Sequence, residues 1–133
     1  LTEEQLVLMR NHVDIAVDML RPITGTEDIA QIVKMHHECP DGSGYPMGLA
    51  SDAIIPEARA LRVADVFVAL TEPRPYHEPL EVEAAIAHME NLAGTKIDSR
   101  AFAALKAIIR ESQGRSVLED PEAAAVLPKG AGA

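Results

Sequence analysis

Apolar side chains at helical spacing predict an amphipathic helix in the first twenty residues. Thr2 is a suitable N-cap and Gln5 follows three positions later, which is the spacing of a capping box. Pro22 and Gly25 predict where this helix ends. Between these signals, one apolar stripe repeats every three or four residues: Leu6, Met9, Val13, Ala16, Val17 and Leu20.

Four more helices and one long loop complete the predicted outline. A second helix opens at Thr26 or Glu27 and should stop before Pro40. Residues 40–56 hold so many glycines and prolines that a continuous helix or a central strand is excluded, and long loops of this kind are often functional. No segment alternates at period two, so the predicted fold class is all-α. The remaining helices are predicted over residues 56–70, 79–92 and 98–112.

The length of 133 residues suits one domain. Residues 1–112 are predicted to form it. Residues 113–133 are a tail rich in Ala, Gly and Pro, which either holds a short helix over residues 122–127 or is largely disordered. Aromatic residues make up only 3% of the chain, so its core must be mainly aliphatic.

The formal net charge of −9 excludes broad binding of DNA, RNA or anionic membranes, which requires a basic surface. It leaves room for a small anionic ligand held by a metal ion and a few arginines. Cys39 is the single cysteine, which fits a reducing compartment. No apolar run approaches the roughly 18 residues of a membrane span, and no signal peptide is visible, so a cytoplasmic location is expected.

Three histidines are candidate metal ligands. His36 and His37 are predicted to lie on the second helix near its apolar face, where an isolated histidine is usually a hydrogen-bonded core residue. Two adjacent histidines on an inward face favour metal binding instead, because neutral imidazole is a common ligand. His12 lies at the flank of the first helix's apolar stripe and is either a half-buried structural histidine or a third ligand.

Asp65 is the candidate carboxylate ligand. It falls in line with Ala58 and Ala69 on the apolar face of the third helix, where an ionised carboxylate is costly unless it is paired or bound to a metal. The alternatives are a salt bridge to Arg59 or Arg62, or partial exposure. Considered together with the two adjacent histidines, a buried His/Asp metal site is the favoured interpretation.

Two further features suit a nucleotide ligand. In the loop Asp41–Pro46, glycines permit positive φ and close approach to a ligand, and Tyr45 is able to stack on a base or cover a pocket. An ordinary surface turn is the alternative. Arg74 stands between two prolines on a stiff segment, and its guanidinium suits bidentate phosphate binding, with simple solvation as the alternative.

These pieces occur in an order that resembles the signature of the HD-GYP domain, from Leu1 to about Phe102. The resemblance rests on these segments: His36-His37-Glu38, Asp41-Gly42-Ser43-Gly44-Tyr45-Pro46, Gly48-Leu49, Ala58-Arg59, Val63-Ala64-Asp65-Val66-Phe67, Ala69-Leu70-Thr71 and Arg74-Pro75-Tyr76.

The resemblance implies an all-α, HD-GYP-type helical bundle that is N-terminally incomplete. It also implies hydrolysis of cyclic-di-GMP to the linear dinucleotide or GMP in bacterial signalling, with divalent metal ions, commonly iron or manganese. By the same resemblance, His12, His36, His37 and Asp65 match metal ligands and Arg74 matches a phosphate contact. The remaining implied ligand-binding residues border the pocket, in a loop that contacts partner signalling proteins in some members: Asp41, Gly44, Tyr45 and Pro46.

Three departures from the family pattern keep a second function open. The sequence holds no His-Asp pair, and that pair should precede Leu1; Val68 replaces a usual Asp, and His77 replaces a usual Lys. The chain is therefore either part of a working phosphodiesterase, inactive by itself, or a degenerate module that binds a nucleotide or a partner protein. Missing N-terminal helices would expose apolar surface, so a homodimer is also expected.

Overall fold

The computed structural model describes residues 2–119, with side chains described to residue 114. Within that range the chain forms helices and isolated β-bridges but no strand, which confirms the predicted all-α class. The helices are α1 (Glu3–Leu20), α2 (Glu27–Met35), α3 (Pro56–Thr71), α4 (Val82–Glu90) and α5 (Ser99–Glu119), with a short 3-10 turn at Ser51–Ala53.

The helices pack in chain order around α3. Helix α1 packs on α2, α2 packs on α3, and α3 packs on both α4 and α5. The main core lies between α3, α4 and α5, where four side chains are almost fully buried: Val63, Met89, Ile97 and Phe102. Apart from Phe102, these are aliphatic or thioether side chains, as the composition predicts.

The start of α1 confirms the predicted capping box. Gln5 N–H donates to the Thr2 hydroxyl oxygen at 3.2 Å, and Thr2 N–H donates to the Gln5 side-chain oxygen at 2.9 Å. These two bonds satisfy backbone donors that a helix leaves unpaired at its first turn. The sequence therefore sets the entry into the helix that carries His12.

The second helix is shorter than predicted, and this corrects the position of two candidate ligands. It ends at Met35, His36 is its C-cap, and His37 lies in the turn that follows. The chain turns here because Glu38 N–H donates to the Met35 carbonyl at 2.9 Å and the backbone then enters the glycine-rich loop. The two histidines are thus presented from a helix end, with half-buried rings.

Two other helix boundaries were also predicted wrongly. Helix α4 starts at Val82 instead of residue 79, since Leu80 N–H donates to the Leu70 carbonyl at 2.8 Å and Glu81 is an extended N-cap. Helix α5 continues past residue 112 to Glu119, because one glycine inside a helical pattern is tolerated. The short helix predicted over 122–127 lies outside the described residues.

One face of α1 is strongly exposed although it carries large apolar side chains. Leu8, Ile15 and Met19 are 69%, 59% and 71% exposed. Contiguous exposed apolar surface of this kind often marks an interaction site, so the homodimer remains a prediction. None of the described helices has the length and apolar character needed to cross a membrane.

Candidate metal centre

Three histidines from two segments of the chain meet at one point. His12 comes from the middle of α1, His36 from the C-cap of α2, and His37 from the turn after it. One ring nitrogen of each lies within 4.8 Å of the other two, and the Nε2 atoms of His12 and His37 are 3.0 Å apart. The structure therefore brings together the three histidines that the sequence proposed as ligands.

Backbone carbonyls fix the tautomers of two of these imidazoles. His36 Nδ1 lies 2.6 Å from the carbonyl oxygen of Val33, and His12 Nδ1 is hydrogen-bonded to the carbonyl of Met9. A carbonyl oxygen only accepts, so each Nδ1 carries a proton and Nε2 is the ring nitrogen left to bind a metal. Backbone bonds of this kind are typical of metal-ligating histidines, and the donor set fits a divalent transition metal.

The third imidazole is held neutral by its surroundings. Burial lowers the pKa of His37 to about 4, helped by electrostatic interactions with His36, His12 and Arg62 and opposed by Asp65. Neutral imidazole is the form that binds metal, so no proton needs to leave His37 near neutral pH.

In the metal-free chain, we expect the His37 imidazole to titrate near pH 4 when followed by NMR. Because the unfolded chain titrates His37 near its ordinary 6.5, the native state binds fewer protons between about pH 4 and 6.5. His37 therefore makes the native state more stable as pH rises through this window, and that stability is lost as pH falls from 6.5 to 4. Urea midpoints across the window measure this change, and a His37 titration near 6.5 would contradict it.

Asp65 is exposed and is not a member of the three-histidine cluster, so the predicted buried His/Asp site is wrong in that respect. Its charge raises the pKa of His37 against the effect of burial and raises the pKa of Tyr45 together with burial, so the carboxylate lies within electrostatic range of both groups. The salt-bridge alternative is not realised in the described residues, because Arg59 pairs with Asp98 at 3.0 Å and Arg62 donates to the Lys96 carbonyl. As a fourth ligand, Asp65 remains a proposal.

Gly44 brings the loop back against the histidine turn. A Cβ at this position would lie 2.4 Å from the Cys39 nitrogen and 2.5 Å from both Glu38 Cα and the His37 carbonyl oxygen. The close approach expected of this glycine is thus made to the chain's own backbone. Only glycine fits here, and this packing places Tyr45 directly over the site.

Glu38 is a residue whose role the sequence did not reveal. Its side chain is buried, with only 2% of the residue exposed, and its two oxygens accept hydrogen bonds from Met47 N–H at 2.7 Å and Leu49 N–H at 2.8 Å. A buried carboxylate is tolerated only when its oxygens are satisfied in this way. Its position directly after two candidate ligands was the only sequence signal that Glu38 has a role at this site. Nothing in the sequence predicted that Glu38 would accept hydrogen bonds from Met47 and Leu49 in the loop.

Tyr45 contacts one of the three histidines, while its predicted roles of stacking on a base or covering a pocket remain predictions. Its ring stacks on His37, with centroids 4.9 Å apart and planes 19° apart, and its N–H donates to the His37 carbonyl at 3.3 Å. The guanidinium of Arg10 lies over the Tyr45 ring, 5.6 Å from its centroid. The loop is therefore part of the site and more than a surface turn.

The other predicted ligand-binding residues lie outside the three-histidine cluster. Asp41 accepts from Lys96 Nζ and Ser43 N–H at 3.0 and 2.9 Å, and hydrogen bonds from Ser43 and then Lys96 lower its pKa to about 2. It thereby ties the loop to the turn before α5. Pro46 is exposed. Arg74 lies in an exposed turn closed by backbone hydrogen bonds to His77. No contact among the described residues joins Arg74 to the three-histidine cluster.

Comparisons with known proteins identify the family and fold of this chain. The family model described as HD domain matches residues 1–101. The chain is 40% identical over 124 residues, 90% of its length, to the cyclic di-GMP phosphodiesterase response regulator RpfG of Xanthomonas campestris, and covers 30% of that protein. It is 35% identical to the 3'3'-cGAMP-specific phosphodiesterase 3 of Vibrio cholerae, over 80% of this chain and 23% of that one.

A solved structure supports the fold. A cyclic GMP-AMP specific phosphodiesterase from Vibrio cholerae matches 86% of this chain and 26% of its own, with a TM-score of 0.68 and 19% identity. At that identity the likeness concerns the fold alone. The chain spans less than a third of the length of all three of these proteins.

Proposed function

We propose that this chain, which belongs to the HD domain family, contributes metal ligands and a nucleotide-facing loop to a metal-dependent phosphodiesterase that hydrolyses cyclic-di-GMP. The family agrees with the HD-GYP resemblance of the motif order. The two relatives named above carry names that specify cyclic di-GMP or 3'3'-cGAMP as substrate, both cyclic dinucleotides.

The observation that carries the proposal is the convergence of His12, His36 and His37. Two of them direct Nδ1 at backbone carbonyls, which leaves Nε2 to bind a metal, and the third has a pKa of about 4, so the three ring nitrogens suit a divalent cation. Iron or manganese is the proposed metal, with Asp65 as a nearby oxygen ligand. Such a cation supplies Lewis-acid activation of water and charge neutralisation at phosphate.

The chain's own residues would bind and orient the nucleotide. Tyr45 lies over His37 and presents aromatic surface beside the proposed cation, where a base or sugar is able to pack. Burial raises the pKa of the Tyr45 hydroxyl, so it stays protonated and able to donate at neutral pH. Arg62 is close enough to affect both Tyr45 and His37, and its positive charge favours a phosphate near them.

A non-catalytic module is the second candidate, and one observation favours it. Within the matched segment, Val68 and His77 stand where the family resemblance expects an Asp and a Lys, so two polar groups of the usual pattern are replaced. A module that retains the histidine cluster and the Tyr45 loop would still bind a cyclic dinucleotide. The two candidates differ in turnover, not in binding.

The deciding experiment uses the chain purified without a metal-affinity tag and loaded with Mn(II) or Fe(II). Elemental analysis is expected to give stoichiometric metal, and calorimetry is expected to show metal-dependent binding of cyclic-di-GMP, with 3'3'-cGAMP tested in parallel. Chromatography of the same reaction with the full-length protein then shows whether linear dinucleotide or GMP forms. Turnover by the full-length protein supports the enzyme, binding without that turnover supports the module, and a chain that holds no metal and binds no cyclic dinucleotide contradicts both.

A further inference from the structure

We propose that Arg10 is a phosphate-binding residue of this centre, an inference that rests on the proposed function. Its guanidinium carbon lies 5.6 Å from the centroid of Tyr45, and Tyr45 stacks on His37. The Tyr45 ring therefore contacts both Arg10 and the candidate metal ligand His37. Arg10 also precedes His12 by two positions on α1, so the same helix carries the Arg10 guanidinium and a candidate metal ligand.

The electrostatics place Arg10 within range of the site. Burial raises the pKa of Tyr45, and the positive charges of Arg62 and Arg10 oppose that rise. In a chain of net charge −9, a local excess of positive charge is needed before a cyclic dinucleotide with two phosphates can approach. Arg10, Arg62 and the proposed cation would together supply it.

Arg10 has the free hydrogen-bonding capacity that a phosphate requires. Its side chain is exposed, and none of the salt bridges among residues 2–114 involves it. Arg62, by contrast, is partly buried and donates to the Lys96 carbonyl and to Cys39 Sγ. Planar guanidinium groups bind phosphate oxygens in pairs, and a phosphate bound here would lie next to the histidine cluster.

The cation–π contact with Tyr45 adds a geometric reason. A guanidinium over an aromatic face is held in place and keeps its N–H donors available for a phosphate. Arg10 is therefore positioned before the ligand arrives, which reduces the ordering cost of binding. If the cation–π contact were purely structural, it would stabilise the position of Tyr45. Exchanging arginine for lysine at position 10 would then leave nucleotide affinity largely unchanged.

The test compares R10Q, R10K and R21Q in the Mn(II)-loaded chain. Arg21 is the matched control, because it is an exposed arginine at the end of the same helix, paired with Asp18 at 2.7 Å, and its removal changes the net charge equally. Calorimetry with cyclic-di-GMP is expected to give about tenfold or greater weakening for R10Q, a smaller loss for R10K, and an unchanged Kd for R21Q. Metal content is expected to stay at the wild-type level in all three.

Each other result overturns the assignment. Equal affinity of R10Q and wild type would remove Arg10 from the binding site and leave the proposed function standing. Loss of metal from R10Q would show that Arg10 acts on the histidine centre and not on phosphate. Wild-type chain that holds metal but does not bind cyclic-di-GMP would overturn the proposed function itself, and this inference with it.

Discussion

Replacing Gly44 with alanine is expected to destabilise the chain by about 3 kcal/mol, because overpacking against rigid atoms costs this much. The new methyl group would meet the Cys39 nitrogen at 2.4 Å and two more backbone atoms at 2.5 Å. None of these is the movable end of a side chain, so the loop itself must shift. A melting temperature lower by roughly 10 °C is expected in thermal denaturation followed by circular dichroism.

The control is the same substitution at Gly114. This residue lies in α5 and an added Cβ would meet nothing within 4 Å, so G114A is expected to leave stability unchanged or raise it by up to about 1 kcal/mol. G44A is also expected to weaken metal binding, because the displaced loop carries Tyr45 away from His37. A G44A chain that melts with the wild type would show that the loop does not pack on the histidine turn.

Replacing His37 with alanine is expected to lower affinity for a divalent metal by at least about 100-fold, since loss of a ligand should exceed the 10–100-fold cost of losing an outer-shell partner. Its Nε2 lies 3.0 Å from that of His12, at the centre of the cluster. Calorimetric titration with Mn(II) or Zn(II) measures the loss, and H37Q provides a second variant that keeps a polar side chain of similar reach.

His88 provides the control for this experiment. It is an exposed histidine on α4 and is not a member of the three-histidine cluster, so H88A is expected to bind metal as the wild type does. Circular dichroism distinguishes lost ligation from lost folding in H37A. If H37A and H88A both bound the divalent metal with wild-type affinity, the three-histidine cluster would not be a metal centre.

The sequence by itself determined the fold class and the identities of the converging histidines. Helical spacing, the Thr2 capping box and the Pro56 helix start are local signals, and local backbone physics decides them. His12, His36 and His37 were identified from their types, their faces and the order of the motif. The family match over residues 1–101 confirms the resemblance on which their assignment rests.

Only the tertiary structure decided how those residues are held. It showed that α2 stops at Met35, that Asp65 is exposed, and that a Glu38 carboxylate secures the loop through Met47 and Leu49. These facts depend on which backbone groups meet across a fold, and residue order carries no distance between segments that are far apart in the chain.

The contact between Arg10 and Tyr45 shows the same division. The two residues are separated by the second helix and part of the loop, and no periodicity relates them. They meet because Gly44 lets the loop lie on the histidine turn while α1 packs against α2. Helix faces and turn residues follow from local sequence, whereas the position of a cation over a ring requires the packed chain.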